Sequence, residues 1–305
     1  MSGVLERIRA RTRRRARLKR DEALRASGWY DPSARSQMDA VFVAGCGRSG
    51  TTLFKEVMNR HSRCASGPET SLYGLPFSID NIAVPWGIER AHLEAMQRSS
   101  RNLIAFADTF AKEFLAQEGK ARWIEKTPNT VRVIEKVLTW YPKGKFIHVI
   151  RDGRDVVCSL RHHPRERVIN GKIVRMNPDN PVSKSAQRWL NDTMHGLAFR
   201  GHPRYMEIRY EDLVRDPEAG FRRVFEFIGE PFEPGVLDAD TAAPKRPGQN
   251  LNNAAASSSI SSRSVGRWTK DLSPAEQQDF VNIAGELLIT LGYEPNHDWA
   301  NGGAS

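Results

Sequence analysis

Cysteine residues and long apolar runs are scarce in this chain, and both facts restrict the classes of protein to which it could belong. The 305 residues include three cysteines, Cys46, Cys64 and Cys158, which show neither the paired spacing of a metal site nor a disulfide framework. No stretch approaches the roughly 18 uninterrupted apolar residues that a membrane span needs. The first residues also lack the apolar middle region of a secretory signal. We therefore expect a globular protein of a reducing compartment, with cytoplasmic localisation.

Positive charge is concentrated at the start of the chain. The formal net charge is +10 at pH 7, yet residues 1–20 hold nine Lys and Arg against one acid, Glu6, and the rest of the chain holds 37 basic and 35 acidic side chains. We interpret residues 1–38 as a basic extension, helical or flexible, ahead of a nearly neutral domain at 39–297. A solvated helix or arm is the simplest interpretation. Contact with a membrane surface, nucleic acid or an acidic partner, and an organelle transit peptide, are alternatives.

A glycine-rich loop at Gly45–Thr52 separates a short apolar run from a helical pattern. Its skeleton is that of the nucleotide-phosphate loop GxxxxGK[ST], except that Thr51 stands where the lysine belongs. Glycines let successive N–H groups converge, and the following helix adds its positive end, so the loop suits an anion. The nearest cation in the loop is Arg48. A glycine-rich turn without a ligand is the alternative.

The second clear apolar run, Lys145–Ile150, ends in an arginine rather than in a magnesium-binding aspartate. A nucleoside triphosphatase carries such an aspartate at a strand end, whereas Arg151 occupies that place here and Asp152 follows it. The two loops therefore predict an anion site built from arginines and backbone amides, without a metal. A P-loop nucleotide kinase or NTPase remains the alternative.

Apolar runs alternate with helical patterns along the chain. The predicted strands are Val41–Ala44, 123–124, Lys145–Ile150 and Tyr205–Arg209. The predicted helices begin after the loop and cover 88–118, a segment from Pro128, the residues around 156–160, 183–199, Pro217–Ile228, and a last segment from Ser273 to Gly292. Polar residues 162–182 indicate an irregular insertion, and 230–262 a long loop or lid. The alternation predicts an α/β, P-loop-containing three-layer fold, with a mainly parallel central sheet flanked by helices.

Two motifs together resemble the sulfotransferase superfamily, in particular its branch of bacterial and tyrosylprotein sulfotransferases. The first is 47–52 and the second pairs Arg151 with Ser159, eight positions later. The resemblance implies the donor 3′-phosphoadenosine-5′-phosphosulfate (PAPS). Its 5′-phosphosulfate would lie in the first motif, and Arg151 and Ser159 would bind its 3′-phosphate. The first-motif contacts implied are Gly47, Arg48, Ser49, Gly50, Thr51 and Thr52.

Four further segments carry the same resemblance. The segment 67–70 implies Glu69 as general base, although a capping or salt-bridged carboxylate is the alternative. The segment 125–128 implies Lys126 as the lysine between donor and leaving group. The segment 209–213 implies Tyr210 near the adenosine, and 264–268 implies an element that closes over the donor. This last element makes Ser264 a further catalytic candidate and Arg263 and Arg267 donor contacts.

The resemblance implies a transferase that moves a sulfonate group from PAPS to an acceptor hydroxyl by in-line displacement, with 3′,5′-adenosine diphosphate (PAP) leaving. Glu69 would accept the proton, while Lys126 and Arg48 would stabilise the charge on the leaving oxygen. The acceptor could be a carbohydrate, a small molecule, a lipid or a peptide tyrosine. An anion-binding module that acts through the basic extension is a second alternative to the enzyme. We interpret His148 as a core histidine or one that supports a neighbour.

Overall fold

The computed structural model describes residues 2–74, 76–169, 172–176, 180–238 and 260–301. Its centre is a sheet of five parallel strands, β1 Val41–Ala44, β2 Cys64–Ala65, β3 Arg122–Lys126, β4 Lys145–Ile150 and β7 Tyr205–Arg209. Their order across the sheet is β2-β3-β1-β4-β7. The predicted fold class and the strands at 41–44, 145–150 and 205–209 are confirmed. The predicted strand at 123–124 is confirmed within the longer β3, whereas the two-residue β2 was not predicted.

Side chains of the central strands alternate between two apolar layers, as the period of two in a strand requires. Phe42 and Phe146 face a core that includes Phe106 and Trp123. The intervening Val43 belongs to the opposite core. Both faces of the sheet are therefore buried, which is the usual condition of a parallel sheet.

Helices cover both layers. They are α1 Ser2–Ala26, α2 Thr51–Arg60, α3 Asp80–Trp86, α4 Arg90–Ser99, α5 Leu103–Glu118, α6 Ile134–Trp140, α7 Gly153–His162, α8 Val182–Leu197, α9 Tyr210–Arg215, α10 Pro217–Ile228, α11 Trp268–Asp271 and α12 Pro274–Thr290. Short 3₁₀ helices lie at Pro128–Val133, Pro234–Leu237 and Asp298–Asn301. None of the helices in the described ranges combines the length and apolar character needed to cross a bilayer.

The prediction of one helix over 88–118 is wrong. The chain leaves α4 at Ser100, and Asn102 is extended, with its side-chain oxygen accepting a hydrogen bond from the Ala105 N–H at 2.9 Å. An asparagine in that conformation caps a new helix. Both helices nevertheless bury apolar side chains, with Leu93 and Met96 on α4 and Phe106 and Phe110 on α5.

The prediction of an irregular insertion at 162–182 is also wrong. Two strands, β5 Arg165–Ile169 and β6 Lys172–Met176, pair antiparallel in this segment. Main-chain hydrogen bonds pair the two strands, and β6 is exposed along its length. Polar composition alone therefore did not reveal the strands.

The predictions for the last helix and for the basic start of the chain have different outcomes. The last helix begins as predicted, because Ser273 and Glu276 form a reciprocal capping box at its start. The basic start of the chain is the helix α1, while its separation from the domain at 39–297 stays a prediction. The segment 239–259, which holds most of the predicted lid, lies outside the described residues.

Candidate active site

The glycine-rich loop joins the end of β1 to the start of α2, so the helix N-terminus opens onto it. Gly50 has a φ of 94°, and a Cβ there would lie 2.2 Å from Cδ2 of Tyr210. Arg48 also has a positive φ, 77°, which is uncommon for a residue with a side chain. Backbone strain of this kind persists where surrounding structure fixes it, and it is enriched at functional sites.

Direct contacts join the two motifs that lie 103 residues apart. The Arg48 Nε donates to Ser159 Oγ at 3.0 Å, and the Arg151 Nη1 donates to the Arg48 carbonyl at 3.1 Å. Parallel pairing of β1 with β4 produces this proximity, because it brings the carboxyl ends of both strands to the same edge. Burial and the nearby Arg151 charge lower the pKa of Arg48. The cluster is thus rich in hydrogen-bond donors and positive charge.

Two buried donors of this cluster have no hydrogen-bond partner among the described residues. They are the Ser49 hydroxyl and the Arg151 Nε. Buried polar atoms without a partner are rare in folded proteins, and these two belong to the loops that follow neighbouring parallel strands. Their chemistry fits an anion at this edge of the sheet, which is where α/β proteins bind ligands.

The C-terminal segment reaches the same cluster through Ser264. Its hydroxyl lies 2.9 Å from the Tyr210 hydroxyl, and its carbonyl accepts a hydrogen bond from Arg151 Nη2. The Arg151 guanidinium also lies 4.7 Å from the centre of the Tyr210 ring. Arg263, by contrast, is exposed, and Arg267 pairs with Asp271 on its own helical turn. The structure therefore groups Ser264 with the two motifs, but not Arg263 or Arg267, whose roles stay predictions.

Glu69 and Lys126 form an ion pair next to the loop. The Lys126 Nζ lies 2.7 Å from the Glu69 Oε1, with the lysine side chain 6% exposed and the glutamate 48% exposed. Lys126 is the last residue of β3, the strand that pairs with β1. The structure thus brings together the predicted base and the predicted lysine, although their chemical roles stay predictions.

Comparison with known proteins decides the family of this site. The model of the sulfotransferase family matches residues 40–234, which is more than half of the chain. The chain belongs to the sulfotransferase family. The match covers the loop, the Glu69–Lys126 pair, the Arg151–Ser159 motif and Tyr210, and it ends before Ser264.

Named relatives agree with this family. A protein-tyrosine sulfotransferase of Drosophila melanogaster is 25% identical over 86% of this chain and 53% of its own length. Protein-tyrosine sulfotransferase 2 of Gallus gallus is 25% identical over 96% of this chain and 80% of its own. The nodulation protein NoeE of Sinorhizobium fredii is 27% identical over 83% of this chain and 65% of its own. The chain thus spans about half of the Drosophila relative and four fifths of the Gallus relative.

A solved structure shares the fold of this sulfotransferase. The sulfotransferase domain of the Synechococcus PCC 7002 olefin synthase superposes with a TM-score of 0.60, at 20% identity, over 85% of this chain and 98% of that domain. The sulfotransferase domain of the curacin biosynthetic pathway gives a TM-score of 0.56 at 19% identity. The likeness supports the three-layer architecture and the parallel sheet described above.

Sequence reasoning missed Asp155, a fully buried residue of this sulfotransferase site. Its carboxylate accepts the Gly266 N–H at 2.8 Å and the Trp268 N–H at 3.1 Å, and it lies 3.7 Å from Arg151. Burial raises the pKa of Asp155, and the charge of Asp152 adds to this effect. Asp155 therefore fastens the C-terminal segment to the first turn of α7. Its position in the first turn of the helix that follows the Arg151 loop was the available signal.

Two further cations of the site were also missed. Lys55 on α2 is buried, pairs with Glu56 at 2.9 Å, and has its pKa lowered by burial. Arg188 on α8 lies against the loop, because a Cβ on Gly47 would fall 2.9 Å from its Nη2. Lys55 lies on the helix that begins at the loop, three residues after Thr52, so its place near the loop follows from the sequence. Nothing in the local sequence pattern links Arg188 to the loop, and its proximity is a product of helix packing.

The structure also shows the surroundings of His148 and of the Cys46 thiol, and it bears on the predicted absence of a metal. His148 is buried, with Nδ1 2.7 Å from the Tyr205 hydroxyl, and burial lowers its pKa to about 3. It is therefore a core histidine, as predicted. Burial raises the pKa of the Cys46 thiol, which disfavours a thiolate nucleophile in the loop. Among the described residues no cluster of three His, Cys, Asp or Glu could hold a metal, and metal independence stays a prediction.

Proposed function

We propose that this sulfotransferase transfers a sulfonate group from PAPS to an acceptor hydroxyl and releases PAP. One observation carries the proposal. Ser49 Oγ and Arg151 Nε are buried donors that find no hydrogen-bond partner within the described part of the chain, and they lie in adjacent loops that the Arg48–Ser159 contact joins directly. Two anion sites at the ends of neighbouring strands suit a nucleotide with phosphate groups at both extremities. Family membership supports the same donor.

The donor would lie along this edge of the sheet. The loop residues 47–52 would bind the 5′-phosphosulfate, with the N-terminus of α2 adding favourable charge. Arg151 and Ser159 would bind the 3′-phosphate. Tyr210 would contact the adenosine and Ser264 would cover the donor, since their hydroxyls lie 2.9 Å apart beside Arg151. The Thr51 found in place of the P-loop lysine disfavours a triphosphate with magnesium.

The chemistry follows from the groups beside the loop. The acceptor oxygen attacks sulfur and loses its proton to Glu69, while the bond between sulfur and the bridging oxygen breaks. Lys126 and Arg48 stabilise the negative charge that develops on that oxygen, so they act more strongly on the transition state than on the ground state. The 2.7 Å contact between Lys126 and Glu69 supports a shared place of action for base and cation.

The acceptor is proposed only as a hydroxyl-bearing compound. Relatives named protein-tyrosine sulfotransferase make a peptide tyrosine the first acceptor to test. Carbohydrates, lipids and small alcohols complete the panel. The decisive assay measures transfer of labelled sulfonate from PAPS to each class.

Cytoplasmic residence and a partner for the basic helix belong to the same proposal. Three buried free cysteines suit a reducing compartment. Arg11, Arg15 and Lys19 on α1 are exposed, and such a helix suits a membrane surface, a nucleic acid or an acidic partner. Cell fractionation tests the first point. Binding that weakens steeply with salt and disappears on deletion of residues 1–20 would support the second.

Calorimetric titration with PAP in the presence of a chelator tests the donor site. We expect binding without divalent metal, and Arg151→Ala should raise the PAP Kd roughly 10- to 150-fold, since a charge-assisted hydrogen bond contributes about 1.5–3 kcal/mol. Glu69→Gln should abolish most turnover and leave the PAP Kd unchanged. Binding of ATP with magnesium in place of PAP would contradict the proposal. Normal turnover of Glu69→Gln would remove that residue from the mechanism.

A further inference from the structure

A buried carboxyl group lies directly beside the proposed catalytic pair. Glu125 is 1% exposed and accepts hydrogen bonds from the hydroxyls of Thr70 at 2.7 Å and Thr127 at 2.6 Å. Burial raises the pKa of Glu125, and these two hydroxyl bonds oppose that effect. A buried carboxyl is costly unless its hydrogen-bonding capacity is used. The proposed mechanism assigns it no role.

The two threonine hydroxyls that donate to Glu125 also accept hydrogen bonds from backbone N–H groups. Thr127 Oγ1 accepts from the Thr70 N–H at 3.2 Å and from the Ser71 N–H at 3.3 Å. Thr70 Oγ1 accepts from the Leu72 N–H at 3.3 Å. Three consecutive N–H groups after Glu69 are therefore fixed through two hydroxyls that both end on Glu125.

The turn held in this way is strained. Ser71 has a φ of 50°, the left-handed region that disfavours a residue with a Cβ. Such a conformation persists only where neighbouring contacts determine it, and it is enriched at functional sites. The hydrogen bonds that end on Glu125 act on this turn at 70–72, which begins at the residue directly after Glu69.

The two neighbouring strand residues make matching contacts. Lys126 pairs with Glu69, and Glu125 pairs with Thr70, so two consecutive residues of β3 hold two consecutive residues of the Glu69 segment. The contact of Glu125 with Thr70 therefore lies directly beside the contact of Lys126 with Glu69.

We propose that Glu125 is a positioning residue for Glu69: through Thr70 and Thr127 it sets the turn at 70–72 and thereby holds the carboxylate of Glu69 in place for proton transfer. The inference rests on the proposed function, in which Glu69 is the base. It predicts that loss of the Glu125 interactions impairs chemistry and not donor binding.

Three substitutions separate this role from general stabilisation. Glu125→Gln keeps a carbonyl oxygen that accepts from both hydroxyls, whereas Glu125→Ala removes the acceptor. Misplacement of a catalytic group by about 1 Å costs on the order of 100-fold in rate. We expect Glu125→Ala to lose roughly that much in kcat with the PAP Kd within twofold of wild type, and Glu125→Gln to recover most of the loss. Thr127→Val should reproduce the loss in kcat if Glu125→Ala does not fold.

Thr130 provides the matched control. Its hydroxyl lies 3.4 Å from the other Glu125 oxygen and is not bonded to the 70–72 turn in the hydrogen bonds described. Thr130→Val should therefore leave kcat within about threefold of wild type. The proposal is overturned if Thr130→Val and Thr127→Val lose activity equally. It is also overturned if kcat stays normal in folded Glu125→Ala, or if kcat and PAP affinity fall together.

Glu69→Gln, measured in the same series, distinguishes the two proposals. Normal turnover in that variant removes the base, and the positioning role fails with it. Collapsed turnover in Glu69→Gln together with normal turnover in Glu125→Ala overturns the positioning role alone, and the proposed function stands.

Discussion

Replacement of Gly50 by alanine tests the contact between the loop and Tyr210. Gly50 has a φ of 94°, and its added Cβ would lie 2.2 Å from Tyr210 Cδ2 and 2.8 Å from Cε2. Carbon atoms in contact normally lie about 3.5–4.0 Å apart. The loop and the ring must therefore separate by more than about 1 Å. Tyr210 also stacks on Arg151, so the movement disturbs both proposed anion sites.

Gly50→Ala has two effects, backbone strain and a steric clash, that a control variant can separate. A positive φ costs a residue with a Cβ about 1–2 kcal/mol, whereas the clash adds a displacement of the loop. Gly119 is the matched control, because its φ is 63° and no atom of the residues that the structure describes, beyond its chain neighbours, lies within 4 Å of its added Cβ. Gly119→Ala should therefore lower Tm by the strain alone. That corresponds to about 2–4 °C for each kcal/mol in a chain of this size class.

Thermal unfolding and PAP titration on both variants measure the two contributions. We expect Gly119→Ala to keep the wild-type PAP Kd. Gly50→Ala should lower Tm further and raise the PAP Kd at least about tenfold, with a larger fall in kcat because displaced reacting groups cost on the order of 100-fold. Wild-type PAP affinity in Gly50→Ala would refute the reasoning, since the loop would then tolerate the displacement.

Three further outcomes are expected. Asp155→Asn replaces one buried acceptor oxygen by an amide nitrogen, so one of the two N–H groups it holds loses its partner, and the free energy of unfolding should fall by about 1–3 kcal/mol; a wild-type free energy in denaturant unfolding would contradict this. Because the pKa of buried His148 is about 3, below its unfolded value near 6.5, folding stability should fall as pH drops from 6.5 towards 3. The loss is about 1.4 kcal/mol for each pH unit, and a flat stability profile across that range, or one unchanged by His148→Gln, would exclude it. Burial raises the pKa of Cys64 and Cys158 to about 12, so mass spectrometry should find them unalkylated at pH 8 until the chain unfolds.

Local sequence determined the parts of this protein that depend on neighbouring residues. Short apolar runs between helical patterns predicted β1, β4 and β7, and Ser273 with Pro274 predicted the start of α12. The glycine pattern of the loop and the spacing of Arg151 and Ser159 predicted the anion site and the family. These signals are readable because strand period, helix capping and glycine geometry are set within a few residues. The break before Asn102 was missed although an asparagine cap is itself a local signal, and the pairing of β5 with β6 was missed because the polar composition of the segment did not indicate strands.

Only the tertiary structure decided which distant residues meet. Thr70 reaches Glu125 across 55 positions, and Asp155 reaches Gly266 across 111. No periodicity encodes such contacts, because they depend on which strands are neighbours in the sheet and on how the helices pack over it. The sequence thus carried the chemistry of the glycine-rich loop, while tertiary packing brought Glu125 to the segment after Glu69 and Asp155 to the C-terminal segment.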